Sequence, residues 1–240
     1  MYNLRQISKE LIRSDGEIPQ EYFVAAAVEV DGLGRAGHVG LIIHCEAGYF
    51  LFHFDGGEEL ELEENPVGWY FHKTLDFILP DFCNSFFGHC DKIKKTAKPK
   101  FGHFYSGSYY KEGKYYSENG LEEYMSCVGF CINVVKGFIE ADEYFYYQDW
   151  TSGSNIQFHQ KYIKDFIEKY KKTKPDITEE LIAENVRRIT PPEYLASAYL
   201  VELPIRRAEV RKIHNNVVQA ILEKRVKVGQ EKDDSSIAKA

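Results

Sequence analysis

No stretch of this chain approaches the roughly 20 consecutive apolar residues that a membrane-spanning helix needs, and the opening MYNLRQISKELIRSDGEIPQ has no continuous apolar segment behind a basic start. The expectation is a cytoplasmic protein without a transmembrane segment. Positive charge is scarce too: 30 Lys and Arg stand against 37 Asp and Glu, a net charge of -7 at pH 7, which argues against a nucleic-acid partner. The five cysteines are an odd number, and the chain has no C-x-x-C or H-x-x-x-H spacing. Neither a disulfide framework nor a zinc site is expected, and no cofactor. The sequence holds no internal repeat. Its basic clusters, at 92–100 and 206–212, read as solvated surface.

What the chain has instead is aromatic mass: 17 Tyr and 16 Phe among 240 residues favour sheet faces and a filled interior. Leu4, Ile7, Leu11 and Ile12 predict a short opening helix that stops near Ser14-Asp15-Gly16. Residues 22–30 read as a buried strand. Residues 38–45 and 49–54, joined by Glu46-Ala47-Gly48, predict a β-hairpin. Residues 58–64 alternate like a solvated edge strand. Residues 69–90 read as irregular, with Pro80 barring one continuous helix, residues 91–100 as a loop, and 101–116 as a second hairpin. Ser126 suits the N-cap of a helix over 126–138, on which Cys127, Cys131, Val134, Val135 and Phe138 share a stripe. Beyond Trp150 the pattern is helical. Ile163, Phe166, Ile167 and Tyr170 form one apolar face, Asp176 with Glu179 suggests a capping box for 178–188, Pro191 opens a short helix, and Val210, Ile213, Val217 and Ile221 mark the last one. The expected organisation is a core over 1–150, a helical extension packed on it over 151–228, and a disordered tail over 229–240.

Residues 32–43, GLGRAGHVGLII, contain the pattern G-x-G-x-x-G. A dinucleotide loop needs a helix directly after its glycines, whereas a strand-like run follows here, and the chain has none of the V-A-I-K, H-R-D or D-F-G runs of a kinase. The glycines are read as conformational, leaving room for a sharp turn beside His38. Cys127 stands where a helix N-terminus and a neighbouring imidazole can lower a thiol from about 8.5 into the range of about 3.5 to 7.5. The plainer alternative is a small core residue, which suits Cys131 one turn further on. If Glu46-Ala47 is a tight loop, Cys45 pairs with Gly48, His53 lies opposite Gly40, and Asp55 lies opposite His38. Either His53 or Asp55 is then placed to orient His38.

The run HVGLIIHCEAGYFLFHF resembles the histidine hairpin of NlpC-type papain-fold hydrolases, in which the first histidine is the base and a second, on the next strand, orients it. SCVGFCINVV resembles the helix start that carries their nucleophile. The hairpin precedes the helix here, an order similar to the circularly permuted branch that includes lecithin:retinol acyltransferase-like proteins. The resemblance covers roughly residues 32–138; Ser126 departs from the acidic residue or Asn that often precedes the cysteine, which bears on substrate subclass. It implies an α+β fold with a permuted NlpC/papain-like core, an antiparallel sheet packed on a cysteine-bearing helix, and a C-terminal helical extension. The implied site is Cys127, His38 and His53, with Asp55 as the alternative orienting residue. The implied activity is a cysteine hydrolase cleaving an amide bond in a peptide or peptidoglycan-derived fragment through an acyl-enzyme. The same fold also admits a lipid or thioester acyltransferase, or a catalytically silent binding module. The expected partner is a peptide, an amino-acid-containing molecule or a lipid-like small substrate. The amide of Cys127 is a natural oxyanion donor, and a second donor is not assignable from sequence.

Overall fold

β-Branched and aromatic residues after Gly34 build a hairpin over 36–53, and the rest of the sheet grows to either side of it. In the computed structural model the described residues are 2–14, 16–57, 59–66, 70–105, 107–139, 143–150 and 157–237, with side chains in the last block covering 164–182 and 184–225. Asp15, residue 58, residue 69, 151–156 and 238–240, where several expected boundaries fall, lie outside them, as does the side chain of Ile163. Helix α1 (Leu4–Glu10) leads to strands β1 (Ile12–Arg13), β2 (Phe23–Val30), β3 (Ala36–Cys45), β4 (Gly48–His53), β5 (Glu61–Glu64) and β6 (Tyr70–Thr74). They form one sheet in the order β1-β6-β2-β3-β4-β5, antiparallel at every pairing. The fold is thus mixed α+β with an antiparallel sheet.

Hairpin register follows the tight loop, with Cys45 on Gly48 and Gly40 on His53. One sheet face, including Val28, Val39, Leu41 and Phe52, joins the main core, and the other buries Ala25, Ala27, Ile42 and Leu51 in a smaller cluster. Helix α1 ends earlier than its apolar spacing predicts, because β-branched Ile12 is recruited to pair with His72.

The stretch read as irregular and then as a loop holds strand β6 and, after a turn, a helix. Pro80 opens a 3-10 turn over Pro80–Phe82, and α2 (Cys83–Thr96) follows with Cys83, Phe86, Cys90 and Ile93 as its buried stripe. Proline is compatible with a helix start, where its missing N–H has no partner to lose, and Lys94 and Lys95 complement the dipole of the last turn. Downstream lie β7 (Lys100–Phe101), β8 (Tyr109–Lys111), β9 (Lys114–Tyr116) and β10 (Tyr124–Met125). Only β8 and β9 form the predicted hairpin, since β7 leaves it to pair in parallel with β10.

Helix α3 (Cys127–Ile139) begins where Ser126 Oγ accepts the Gly129 N–H at 3.2 Å. It is buried on most of its surface. Phe130 packs against Phe52 and Phe54 with ring centroids 5.1 and 5.8 Å away. At its far end β8 crosses so closely that a Cβ on Gly137 would stand 1.6 Å from the Tyr110 carbonyl oxygen. Helices α4 (Gln157–Thr173), α5 (Glu179–Asn185), α6 (Pro191–Ser197) and α7 (Arg207–Ile237) complete the chain. Thr178, rather than Asp176, caps α5, accepting the Leu181 N–H at 3.2 Å, and the helix stops at Asn185, short of Arg188. The backbone of α7 is helical through Ile237, where a disordered segment was expected from residue 229. That segment contains no proline and several good helix formers.

Two glycine substitutions test the crossing. Gly137→Ala is expected to destabilise the fold by at least about 3 kcal/mol or to prevent folding, because backbone rather than a movable side chain fills the space. Gly88→Ala in α2, whose added Cβ meets nothing within 4 Å, is expected to gain about 0.5–1 kcal/mol from helix propensity. Urea denaturation of both reads the difference, and similar midpoints would mean that the Tyr110 crossing does not fix α3.

Candidate active site

Gly40 faces His53 across the hairpin. A Cβ there would lie 3.2 Å from His53 Cβ and 2.6 Å from Leu51 Cδ1, so glycine leaves the imidazole room to lean toward position 38. His38 Nε2 and His53 Nδ1 stand 3.0 Å apart, with the rings inclined at 75°. The next strand adds a third group: Glu61 pairs with His53 in register, and its Oε2 lies 3.2 Å from His53 Nε2. That distance brings the charge of Glu61 close, but the carboxylate is not aligned for a hydrogen bond and His53 Nε2 is buried with no hydrogen-bond partner. In the tautomer where His38 Nε2–H donates to His53 Nδ1, His38 Nδ1 keeps a free lone pair.

Asp55 does not hold His38. Strand β4 ends at His53, so the ladder never carries Asp55 across from position 38, and its Oδ1 accepts the Gly57 N–H at 2.7 Å instead. Its charge still reaches His38 and favours the protonated ring. Glu61 is a residue that the sequence pattern alone does not single out. The alternation of the edge strand contains it, but only the β4–β5 register reveals that it meets a histidine.

Cys127 is the first residue of α3 and is partly exposed, while the other four cysteines are buried. Burial raises its thiol above the ordinary value, opposed by the backbone N–H groups of Val39, Val128 and Cys127 and by the charge of Arg188. The Val39 amide is the contact that ties the sulfur to the histidine strand, since Val39 follows His38 directly. His38 is held down to about 4, first by burial and then by the charge on His53, with Asp55 opposing. Together these directions keep the proton on sulfur and leave the imidazole neutral near pH 7. Where the resemblance implies a resting thiolate held by His38, these directions leave thiol and imidazole both uncharged, because desolvation outweighs the helix N-terminus. Cys131 is fully buried, and burial pushes its thiol far up, as befits a core position.

Arg188, whose charge reaches the sulfur, has no sequence signal. Its position depends on the pairing of the chain after α5 with residues 103–105, where the Tyr105 N–H donates to Asn185 O at 2.9 Å and the Arg187 N–H to His103 O at 3.2 Å.

One buried and one part-buried histidine make stability depend on pH. His38 is lowered to about 4, and His72, buried against Phe23 with Lys224 nearby, to about 3, both from 6.5. Between pH 6.5 and about 4 the unfolded chain binds more protons than the folded one, so stability is fully present above 6.5 and falls as the pH is lowered through that window. The slope expected is up to about 1.4 kcal/mol per pH unit for each histidine. Urea denaturation across the window measures it, and His72→Phe is expected to flatten it by about one proton. A flat profile in the parent protein would show that the rings are protonated in the fold. No protein-family model, curated protein or solved structure matches this chain.

Proposed function

We propose that this chain is a cysteine hydrolase with a permuted NlpC/papain-like core, cleaving an amide bond in a peptide or peptidoglycan-derived fragment. The supporting observation is the 3.0 Å contact of His38 with His53, backed by Glu61, on the strand whose next amide faces the Cys127 sulfur. The neutral His38 removes the thiol proton as sulfur attacks the amide carbonyl carbon, and the new oxyanion is received by backbone N–H groups around Cys127. With the Val39 N–H directed at the same sulfur, the strand offers the second donor that sequence leaves unassigned. His53 holds the ring through their 3.0 Å contact, and the charge of Asp55 favours the imidazolium that forms. Because burial makes it a strong acid, it delivers its proton to the departing amine as the C–N bond breaks. A water deprotonated by His38 then attacks the thioester, the acid leaves, and the proton returns to sulfur. If an acceptor other than water takes the acyl group, the same intermediate serves a lipid or thioester acyltransferase, and product analysis separates the two.

On a panel of peptide amides, Cys127→Ala is expected to abolish turnover, and Glu61→Gln to lower kcat/KM by about 10-fold through loss of orientation. Iodoacetamide is expected to alkylate Cys127 well before Cys131. Unchanged turnover in Cys127→Ala, together with equal labelling of the two thiols, would leave a catalytically silent binding module.

A further inference from the structure

Beside β1, the edge strand of the sheet opposite β5, a cleft of about 960 Å³ opens between that strand, α1 and α7. It has room for a small organic molecule. Its lining gathers four cations, Arg5 and Lys9 of α1, Arg13 of β1 and Lys224 of α7, against the single carboxylate of Glu223, in a chain whose net charge is -7. That carboxylate is engaged along its own helix, where Glu223 Oε1 accepts from Gln219 Nε2 at 3.0 Å. Glu10, next to Lys9 in sequence, turns to the buried Lys73, with its Oε2 3.6 Å from Lys73 Nζ. Arg5 and Lys9 stand four residues apart on one face of α1, a spacing at which like charges repel, and among the described residues no hydrogen bond or ion pair reaches either. The walls are braced from behind. Ile7 and Leu11 of α1 share the main core with Val217 and Ile221 of α7, and Lys224 Nζ donates to Leu11 O. The fold thus maintains a recess in which cations crowd together without matching acids.

We infer that this cleft is a binding site for a small phosphate-bearing molecule, separate from the chemistry at Cys127. Cations that arrive from three elements suit a group that accepts from several sides at once. A phosphate monoester offers three terminal oxygens and close to two negative charges, whereas a carboxylate offers two oxygens and one charge. Arginine forks grip two such oxygens together, and lysine adds a point charge. Leu4 and Ile12, each half-buried, give the cleft an apolar wall for the remainder of the molecule. A membrane surface fits less well, since none of the exposed large apolar side chains among the described residues lines the cleft.

Titration calorimetry of the full chain at low ionic strength tests this with 1-naphthyl phosphate as the probe and 1-naphthol as its uncharged counterpart. The phosphate is expected to bind at least about tenfold more tightly than the naphthol, and more weakly as salt is added. Arg5→Gln and Lys9→Gln are each expected to weaken it by about threefold, the size of an exposed charge pair, and the double variant by about tenfold. Both side chains are exposed, so the variants fold, and Lys9→Gln is expected to melt no lower than the parent because it relieves the repulsion along α1. Lys94→Gln, in the basic end of α2 and outside the cleft lining, is expected to leave binding unchanged. Absence of binding, equal affinity for phosphate and naphthol, or an equal loss in Lys94→Gln overturns the inference, the last because binding would then follow diffuse charge. Co-sedimentation with vesicles of phosphatidylcholine and phosphatidic acid separates a lipid headgroup from a free ligand. Vesicle binding that Arg5→Gln abolishes, in a protein that does not bind 1-naphthyl phosphate, assigns these cations to a membrane surface and overturns the small-molecule site.

Discussion

The insertion of Phe130 between the hairpin and β8 is the contact on which the rest depends. Its ring meets Phe52, Phe54 and Tyr110 with centroids 5.1, 5.8 and 5.8 Å away, and burying such a ring is worth about 1.5–3 kcal/mol. Phe130 follows Cys127 by less than one helical turn, so fixing the ring fixes the sulfur. A slip of α3 by one turn would move that sulfur about 5.4 Å, away from the Val39 amide. The close passage of Tyr110 over Gly137 opposes that slip at the other end of the helix. Placement of the Cys127 sulfur is therefore a consequence of aromatic packing.

Electrostatics at the site follow from the same burial. Desolvation acts on thiol and imidazole in opposite directions and leaves both uncharged, so the two groups form no ion pair at rest. Glu61 is largely exposed, at 57% of its side-chain surface, and solvent screens its charge. It acts on His53 through charge and not through a hydrogen bond, since His53 Nε2 has no hydrogen-bond partner. An edge strand can supply such a group because one of its faces is wet while its register is set by a buried neighbour.

Local chemistry made part of this legible from sequence. The tight loop at Glu46-Ala47 specifies the hairpin register, and Ser126 specifies the start of α3, because turn geometry and capping act over a few residues. Helix α2 was hidden, since its stripe of Cys83, Phe86, Cys90 and Ile93 is interrupted in sequence by glycine, histidine and lysine. Glu61 and Arg188 were hidden for a different reason. Each acquires its meaning from a pairing between distant segments, β4 with β5 and residues 103–105 with 185–187, and no local pattern encodes such a pairing. Asp55 was misread because the ladder was extended past the point where the Asp55-Gly57 turn, closed by its own hydrogen bond, takes the chain away.

The glycine-rich loop before His38 shows how far its composition resembles, and its physics differs from, a phosphate cradle. Its amides do bind an anion, but an internal one: Asp31 Oδ1 accepts the Leu33 and Arg35 N–H groups, each at 2.9 Å, and Asp31 Oδ2 takes Arg35 Nε at 2.8 Å. A phosphate would have to displace a carboxylate already satisfied on three sides. The glycines serve separate ends. Gly34 adopts a φ of 76° and admits Leu222 of α7, whose Cδ2 would lie 2.4 Å from an added Cβ, while Gly40 admits His53. Arg225 Nε also donates to Asp31 O at 3.2 Å, so the last helix clamps the loop from which the His38 strand departs. A C-terminal helix read from periodicity as an addition to the core thus takes part in placing the strand that carries His38, through two contacts on a loop that the sequence presents as a nucleotide motif.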